Sequence, residues 1–123
     1  MTMIKTASIL VLTALALCPS IVAAEGDASR GEKLFTRCSA CHTVNGKNKI
    51  GPSLAGVVGR KAGSVEGPRY SKALAQSGLI WTEENLDAYL AAPATLVRGT
   101  TMTVRISKGQ DRQDLISYLK AQP

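Results

Sequence analysis

The sequence predicts an all-α fold that wraps around a group other than polypeptide. Three segments carry apolar residues at helical spacing, and no segment shows sustained alternation of apolar and polar residues. Two long loops, Thr43–Gly67 and Pro93–Ser107, have little secondary structure of their own, which is unusual in a compact domain unless the loops enclose something. One Phe, one Trp and three Tyr are the only aromatic residues. A bound group that is not polypeptide would fill so small a core and stabilise it.

Capping residues delimit the first two helices. Asp27 is placed to cap a helix from about Ala28 to Cys38, because its carboxylate can accept hydrogen bonds from the free N–H groups of the first turn. Thr82 is placed to cap a second helix in the same way. Pro93 ends that helix because proline lacks the N–H that a helix interior requires.

The C-terminal segment predicts the third helix. This helix begins near Lys108 to Gln110 and runs to about Ala121. Its apolar stripe comprises Leu115, Ile116, Tyr118 and Leu119. A further short helix is expected around Ser71 to Ser77.

Residues 1–24 have the organisation of a cleavable export signal. Lys5 supplies a positive start, Ile9–Leu17 form an apolar segment, and Val22–Ala24 are small residues ahead of a cleavage site. The alternative is a retained anchor, because Ala7–Ala24 is just long enough to span a bilayer, although polar residues and a proline interrupt it. We expect cleavage, which leaves one domain over residues 25–123 with no membrane span.

The charge balance indicates the kind of partner. Fifteen basic and nine acidic residues give a formal net charge of +6, and loss of Lys5 with the leader leaves +5. A basic surface attracts acidic partners and speeds their encounter at low salt. The basic residues are spread along the chain without a dense run, which argues against nucleic acid as a partner.

Cys38 and Cys41 are the only cysteines after residue 24, and His42 follows them directly. Two cysteines at this spacing are compatible with a disulfide, a thiol redox pair, half of a metal site or a haem attachment site. The histidine favours the last, since C-x-x-C-H is the attachment pattern of c-type haem. A thioredoxin-like pair would need a β-α-β pattern, and zinc would need further Cys or His ligands. We therefore predict one covalent haem (haem c), with His42 as an iron ligand.

The second axial ligand follows partly by elimination. His42 is the only histidine, so a bis-histidine haem cannot form within the chain. Met102 is the only methionine after residue 24, and it lies in a loop ahead of the last helix. Because Met/His pairing is an established ligation of c-type haems, we predict Met102 as the ligand. A five-coordinate iron, or ligation by a lysine such as Lys108, is the alternative.

Four segments together resemble the class I cytochromes c, both the mitochondrial type and its periplasmic bacterial relatives. In family order they are C-S-A-C-H-T-V, G-P-S-L-A-G-V-V-G-R-K-A-G, I-W-T-E-E-N-L-D-A-Y-L and R-Q-D-L-I-S-Y-L-K. The resemblance covers Gly26 to about Lys120. It implies the cytochrome c fold, with three main helices and a short one wrapped around a covalently bound haem.

The resemblance also implies roles for residues around the haem. Pro52 matches the proline whose carbonyl accepts a hydrogen bond from the histidine ligand, which would orient the imidazole. Tyr89 matches the tyrosine bonded to the methionine sulfur, and Thr100 a loop threonine near a propionate. Three residues match the donors to buried haem propionates: Arg60, Tyr70 and Trp81. The residues that match the crossing of the first and last helices are Gly31, Phe35, Leu115 and Tyr118.

The sequence departs from the family at the methionine loop and at the docking lysines. The family's Pro-Gly-Thr-Lys-Met reads Arg98–Met102 here, so a rigid turn element is lost. Arg37 and Lys49 match basic positions of the docking ring. Uncharged residues replace the docking lysines of mitochondrial members at three positions: Ala94, Thr95 and Thr101.

These features together predict a soluble periplasmic one-electron carrier rather than an enzyme. Two filled axial positions leave no iron site for a substrate, and electron transfer needs no acid, base or nucleophile. We expect a monomer that meets acidic redox partner proteins. The nearest alternative is a cytochrome subunit that accepts electrons from a periplasmic dehydrogenase. A haem that binds gas or turns over peroxide, and a thiol redox protein, are further alternatives.

Overall fold

The computed structural model describes residues 25–123, so the predicted export signal at residues 1–24 lies outside the described part and stays a prediction. In chain order the helices are α1 (Ala28–Leu34), α2 (Lys72–Ala75), α3 (Glu83–Ala91), α4 (Pro93–Leu96) and α5 (Gly109–Lys120). Within residues 25–123 no strand forms, and one isolated antiparallel bridge joins Lys61 to Ile80. The predicted all-α class is confirmed.

The predicted N-terminal caps are confirmed. The Asp27 carboxylate accepts hydrogen bonds from the N–H groups of Ser29 and Arg30 at the start of α1. The Thr82 hydroxyl accepts a hydrogen bond of 3.1 Å from the Asn85 N–H at the start of α3. Each side chain therefore satisfies backbone donors that have no partner within their own helix.

Two helix boundaries differ from the sequence-based expectation. The first helix changes to a 3-10 turn at Phe35–Arg37, so only its first seven residues are α-helical. The segment after Pro93 was expected to be a loop throughout, which is wrong for its first turn, α4. Pro93 does end α3, but it also begins α4, since a first-turn position needs no N–H and suits the fixed φ of proline.

Helices α1 and α5 cross at Gly31, as the resemblance implied. A Cβ on Gly31 would collide with the backbone carbonyl of Asp114 and lie 2.7 Å from the Cβ of Tyr118. Only glycine therefore lets the two backbones come this close. Phe35 and Tyr118 pack beside the crossing with ring centroids 5.7 Å apart.

Asp114 connects this crossing to the residue that caps α1. Its side chain is fully buried, and Oδ1 accepts hydrogen bonds from the Asp27 N–H at 2.8 Å and from Gln110 at 2.9 Å. Arg30 lies 3.4 Å from the other carboxylate oxygen. These donors, the Asp27 N–H above all, hold the pKa of Asp114 below its ordinary value.

The apolar core lies between α1, α3 and α5 and continues into the two long loops. Val57 belongs to the first loop, and Ile106 belongs to the second. The Ile106 N–H donates to the Leu90 carbonyl at 2.8 Å, which fixes the end of the second loop to α3. No helix within residues 25–123 has both the length and the apolar content that crossing a bilayer requires.

Candidate functional site

A cavity of about 310 Å³ lies between the two long loops and the inner faces of α3 and α5. Its walls include every residue that the sequence analysis placed at the site. These ten residues are Cys38, Cys41, His42, Pro52, Arg60, Tyr70, Trp81, Tyr89, Thr100 and Met102. Residues separated by more than sixty positions in the chain thus share one enclosed space.

Cys38, Cys41 and His42 form one part of this wall because the chain turns helically there. The N–H groups of Cys41 and His42 both donate to the Cys38 carbonyl, at 3.1 and 2.9 Å. Both thiols are free, which leaves them available for covalent attachment. Burial raises the pKa of the Cys38 thiol, and the nearby charge of Arg37 partly opposes that shift.

The His42 imidazole is held in one tautomer. Its Nδ1 lies 2.8 Å from the Pro52 carbonyl oxygen. Because a carbonyl only accepts, Nδ1 must be the donor, and Nε2 keeps the lone pair that a metal requires. The structure therefore makes the contact that the resemblance implied for Pro52, and it leaves His42 competent as a ligand.

Gly51 supports the same imidazole, and the sequence analysis missed it. A Cβ on Gly51 would collide with Cε1 of His42 and lie 2.8 Å from Nδ1. The ring thus packs directly on the Gly51 backbone. Glycine is frequent throughout this loop, so nothing in the sequence distinguishes the glycine that touches the ring from the others.

Met102 is half-buried in the wall and lies in the loop that follows α4. Its N–H is 3.4 Å from the Thr100 hydroxyl, and that hydroxyl is also bonded to the Tyr89 phenol at 2.6 Å. The structure thus gives Tyr89 a partner that the sequence analysis did not foresee. Burial raises the pKa of Tyr89, and the bond to Thr100 partly opposes this. The predicted bond between Tyr89 and the Met102 sulfur stays a prediction.

Arg60 brings a positive charge into the cavity wall. Its guanidinium donates to the carbonyls of Ser53 at 3.0 Å and Ala55 at 3.1 Å. A guanidinium has five N–H donors, so donors remain for a further acceptor. Burial lowers the pKa of Arg60, and the neighbouring Tyr70 partly opposes that shift. A partly buried cation of this kind is stabilised by an anionic partner.

Tyr70 and Trp81 lie in the same cavity wall as Arg60. The Tyr70 hydroxyl accepts a hydrogen bond of 3.2 Å from the Val65 N–H, which leaves its own proton free to donate. Trp81 is buried, and its ring centroid lies 4.9 Å from that of Tyr89. Among the described residues, no carboxylate side chain lines the cavity.

The donor set fits a haem. Two free thiols, one imidazole nitrogen with a lone pair and one thioether lie on the walls of a single cavity. Much of the remaining wall is apolar and suits a porphyrin ring, while Arg60 and Tyr70 suit its carboxylates. The apolar wall that α3 and α5 contribute was expected only as ordinary core, because helical spacing does not separate a cavity wall from a packed interior. The helical leucines of the wall are Leu74, Leu86, Leu90, Leu115 and Leu119.

Fold and site together define a class: a helical protein that folds around a single covalently held cofactor. Comparison with known proteins agrees. A family model described as cytochrome c matches residues 28–123. The chain is 50% identical over 101 residues to cytochrome c of Gibberella zeae, a match that covers 79% of this chain and 95% of that one.

Bacterial proteins are also similar, over nearly the same share of the chain. Cytochrome c2 of Agrobacterium tumefaciens is 43% identical over 101 residues, which covers 77% of this chain and 91% of that one. The solved structure of cytochrome cH from Methylobacterium extorquens superposes with a TM-score of 0.75 at 46% identity, covering 79% of this chain and 100% of that one. The chain belongs to the cytochrome c family, whose members carry one covalent c-type haem and serve in general as electron carriers rather than enzymes.

Proposed function

We propose that this chain is an exported, periplasmic one-electron carrier whose haem is attached through Cys38 and Cys41 and ligated by His42 and Met102. One observation carries the proposal. The two thiols, the thioether and an imidazole in the ligand-competent tautomer all line a single cavity. The similarity to bacterial cytochromes c2 and cH supports the same type of carrier.

The residues of the chain position the haem, and the haem iron supplies the redox chemistry by cycling between the ferric and ferrous states. The hydrogen bond to the Pro52 carbonyl fixes the orientation of the His42 ring before the ring binds iron. Little rearrangement of the ring would therefore accompany a change in the charge of the iron. Met102 offers a neutral sulfur, and a Met/His pair raises the reduction potential. If His42 and Met102 both hold the iron, no ligand position would remain open for a substrate, and we propose a carrier rather than an enzyme.

The propionates of the haem require donors inside the cavity, and the chain supplies them. We propose that Arg60, Tyr70 and Trp81 have this role, with Thr100 nearby. Arg60 and Tyr70 retain free N–H or O–H groups after their bonds within the protein are counted. An unpaired carboxylate in such a site would be costly, so these donors stabilise the bound cofactor.

The distribution of charge supports acidic redox partners. Segments 33–82 and 88–110, which include both long loops around the cavity, hold eleven basic residues and one acidic residue, Glu66. All other carboxylates after residue 24 lie in or beside α1, α3 and α5. The cavity lining itself includes three basic residues, Arg37, Arg60 and Arg69, and no acidic one, which favours acidic proteins as partners at this site. We propose that the monomer is the functional unit.

The ligation is tested with the holoprotein of Met102→Ala. We expect the haem to stay attached, the sulfur-to-ferric-iron charge-transfer band to vanish and cyanide to bind rapidly. Thr103→Ala, a neighbouring exposed residue of the same loop, is the control and should keep the band. An unchanged spectrum in Met102→Ala would show that another group ligates the iron.

The export prediction is tested by fractionating cells of the natural host. We expect the haem protein in the periplasmic fraction, with an N-terminus at Glu25. Recovery in the membrane fraction with residues 1–24 still attached would instead establish a retained anchor.

A further inference from the structure

The peptide group between Pro52 and Ser53 is hydrogen-bonded at both ends. Its carbonyl oxygen accepts from Nδ1 of His42 at 2.8 Å, and its N–H donates to Oδ1 of Asn48 at 3.0 Å. A trans peptide group is planar and conjugated, so its C=O and N–H point in opposite directions. The Asn48 carboxamide, the peptide group and the imidazole therefore form one chain of hydrogen bonds that ends on the predicted iron ligand.

Asn48 can act on His42 through this chain because hydrogen bonds in series polarise one another. An acceptor on the Ser53 N–H shifts electron density within the peptide group towards the Pro52 carbonyl oxygen. That oxygen becomes a stronger acceptor for the Nδ1 proton, and such strengthening amounts to about 10–30% per bond. A stronger bond at Nδ1 makes the opposite ring nitrogen, Nε2, a better electron donor to a metal.

Contacts that do not involve Asn48 hold this peptide group in place. Ser53 is buried, and its hydroxyl accepts hydrogen bonds from the N–H groups of Gly46 at 3.0 Å and Ala55 at 3.2 Å. The Ser53 carbonyl accepts a hydrogen bond from the Arg60 guanidinium at 3.0 Å. A substitution at Asn48 should therefore change the strength of the chain of hydrogen bonds more than the position of the peptide group.

Asn48 also has a contact of a purely structural kind. Its Nδ2 donates to the Glu66 carbonyl at 3.0 Å, which joins two parts of the first long loop that are 18 positions apart. The two polar atoms of one side chain thus do different things: Oδ1 polarises the peptide group, and Nδ2 tethers the loop. A carboxylate in this place would keep the acceptor and lose the donor, so the two effects can be separated by substitution.

From this geometry we propose that Asn48 is a positioning residue for electron transfer, which lowers the reduction potential of the haem through the Pro52–Ser53 peptide. A better electron donor at Nε2 of His42 stabilises the ferric state more than the ferrous state, because ferric iron carries the larger positive charge. The effect opposes that of the neutral Met102 sulfur, which raises the potential. This inference rests on the proposed carrier function.

The test compares reduction potentials of holoprotein variants, measured by spectroelectrochemical titration. Asn48→Asp places a carboxylate at the Ser53 N–H, and hydrogen bonds to a charged acceptor are roughly twice as strong as neutral ones. Asn45→Asp is the matched control. It adds the same charge to an exposed asparagine of the same loop, whose Oδ1 accepts from the Lys47 N–H instead. We expect the potential to fall further in Asn48→Asp than in Asn45→Asp.

Asn48→Ala should shift the potential upwards, because the chain of hydrogen bonds loses its first acceptor. The NMR resonance of the His42 Nδ1 proton in the ferrous protein gives an independent readout, since a stronger hydrogen bond moves it downfield. It should move upfield in Asn48→Ala, downfield in Asn48→Asp and stay in place in Asn45→Asp.

Equal potentials in the two aspartate variants, or an Nδ1 resonance that no substitution at Asn48 moves, would overturn the proposal. A loss of stability in Asn48→Ala with unchanged potential and resonance would overturn it too, since Asn48 would then only tether the loop. Failure of the carrier function is a different result. A holoprotein without a reversible one-electron wave refutes that function, whereas a normal wave whose potential ignores Asn48 refutes only the role of Asn48.

Discussion

At the scale of single residues, the orientation of the His42 ring depends on two consecutive loop residues that contact it, Gly51 and Pro52. Pro52 contributes a carbonyl that fixes the tautomer, and Gly51 contributes the absence of a side chain. The two effects are complementary: the Pro52 carbonyl positions the Nδ1 edge of the ring, and the bare Gly51 backbone lets the ring lie against it. A ligand held in this way is ready for the metal before the metal is bound.

Gly51→Ala should displace this ring. The added Cβ would collide with the imidazole, and overpacking of this kind costs about 1–3 kcal/mol. We expect a lower yield of holoprotein and a less stable one, measured by the Soret absorbance per polypeptide and by urea unfolding.

Gly109→Ala is the control for this substitution, because a Cβ there would lie no closer than 3.6 Å to the Arg112 side chain. It should match the wild type in both measurements. Wild-type yield and stability in Gly51→Ala would mean that the ring is not held against this backbone.

At the scale of secondary-structure elements, the contact between α1 and α5 closes the fold behind the cavity. Gly31 lets the helices approach, and Asp114 adds hydrogen bonds that reach the residue capping α1. Arg30 on α1 contacts both Asp111 and Asp114 on α5. Of these two carboxylates, only that of Asp114 is fully buried, so its charge contributes more to the crossing than that of Asp111.

Asp114→Asn should therefore destabilise the protein in a pH-dependent way. The folded state lowers the pKa of Asp114, so its stabilisation is complete above the ordinary carboxyl pKa of about 3.9 and is lost as the pH falls through the lower folded value. We expect a lower urea midpoint than that of the wild type at pH 7. The difference should shrink at acidic pH.

Asp111→Asn provides the comparison, because this carboxylate faces the same Arg30 at 3.6 Å but is partly exposed. Exposed pairs contribute little, so its effect should be small at every pH. A difference between wild type and Asp114→Asn that stays constant from neutral to strongly acidic pH would rule out the titration of Asp114 as the cause.

At the scale of the whole molecule, positive and negative charges concentrate in different segments of the chain. The two long loops hold six basic residues and one acidic residue, whereas the other eight carboxylates after residue 24 lie in or beside α1, α3 and α5, where some of them pair with Arg30, Arg112 and Lys120. Along the sequence the basic residues are spread without a dense run. Folding brings three of them, Arg37, Arg60 and Arg69, into the lining of one cavity.

This separation predicts how salt affects electron exchange. Oxidation of the ferrous protein by an anionic reagent such as ferricyanide should slow on the order of tenfold as ionic strength rises, since salt screens the positive charges of the protein. Lys49→Gln should weaken the dependence. Lys120→Gln should not, because Lys120 already pairs with Glu83 at 2.9 Å on the helical side. Equal salt dependence in the two variants, measured by stopped-flow absorbance, would mean that only net charge matters.

The sequence by itself determined the features that depend on short spacing. Cys38, Cys41 and His42 lie within one turn, so their spacing alone indicates a haem attachment site. Asp27 and Thr82 cap their helices through bonds to residues two or three positions away. Local rules of this kind hold whatever the rest of the chain does, because the interacting groups are joined by a few covalent bonds.

Only the tertiary structure decided which distant groups meet. Among the many loop glycines, Gly51 is the one that contacts the His42 ring. The Tyr89 phenol is hydrogen-bonded to Thr100, and the Arg37 guanidinium donates to the Arg105 carbonyl, 68 positions away in the chain. The tertiary structure also exposes Ile50 to water beside the cavity that it lines. Such contacts depend on how helices and loops pack around a shared interior. That packing is a property of the whole chain, and no local pattern of residues encodes it.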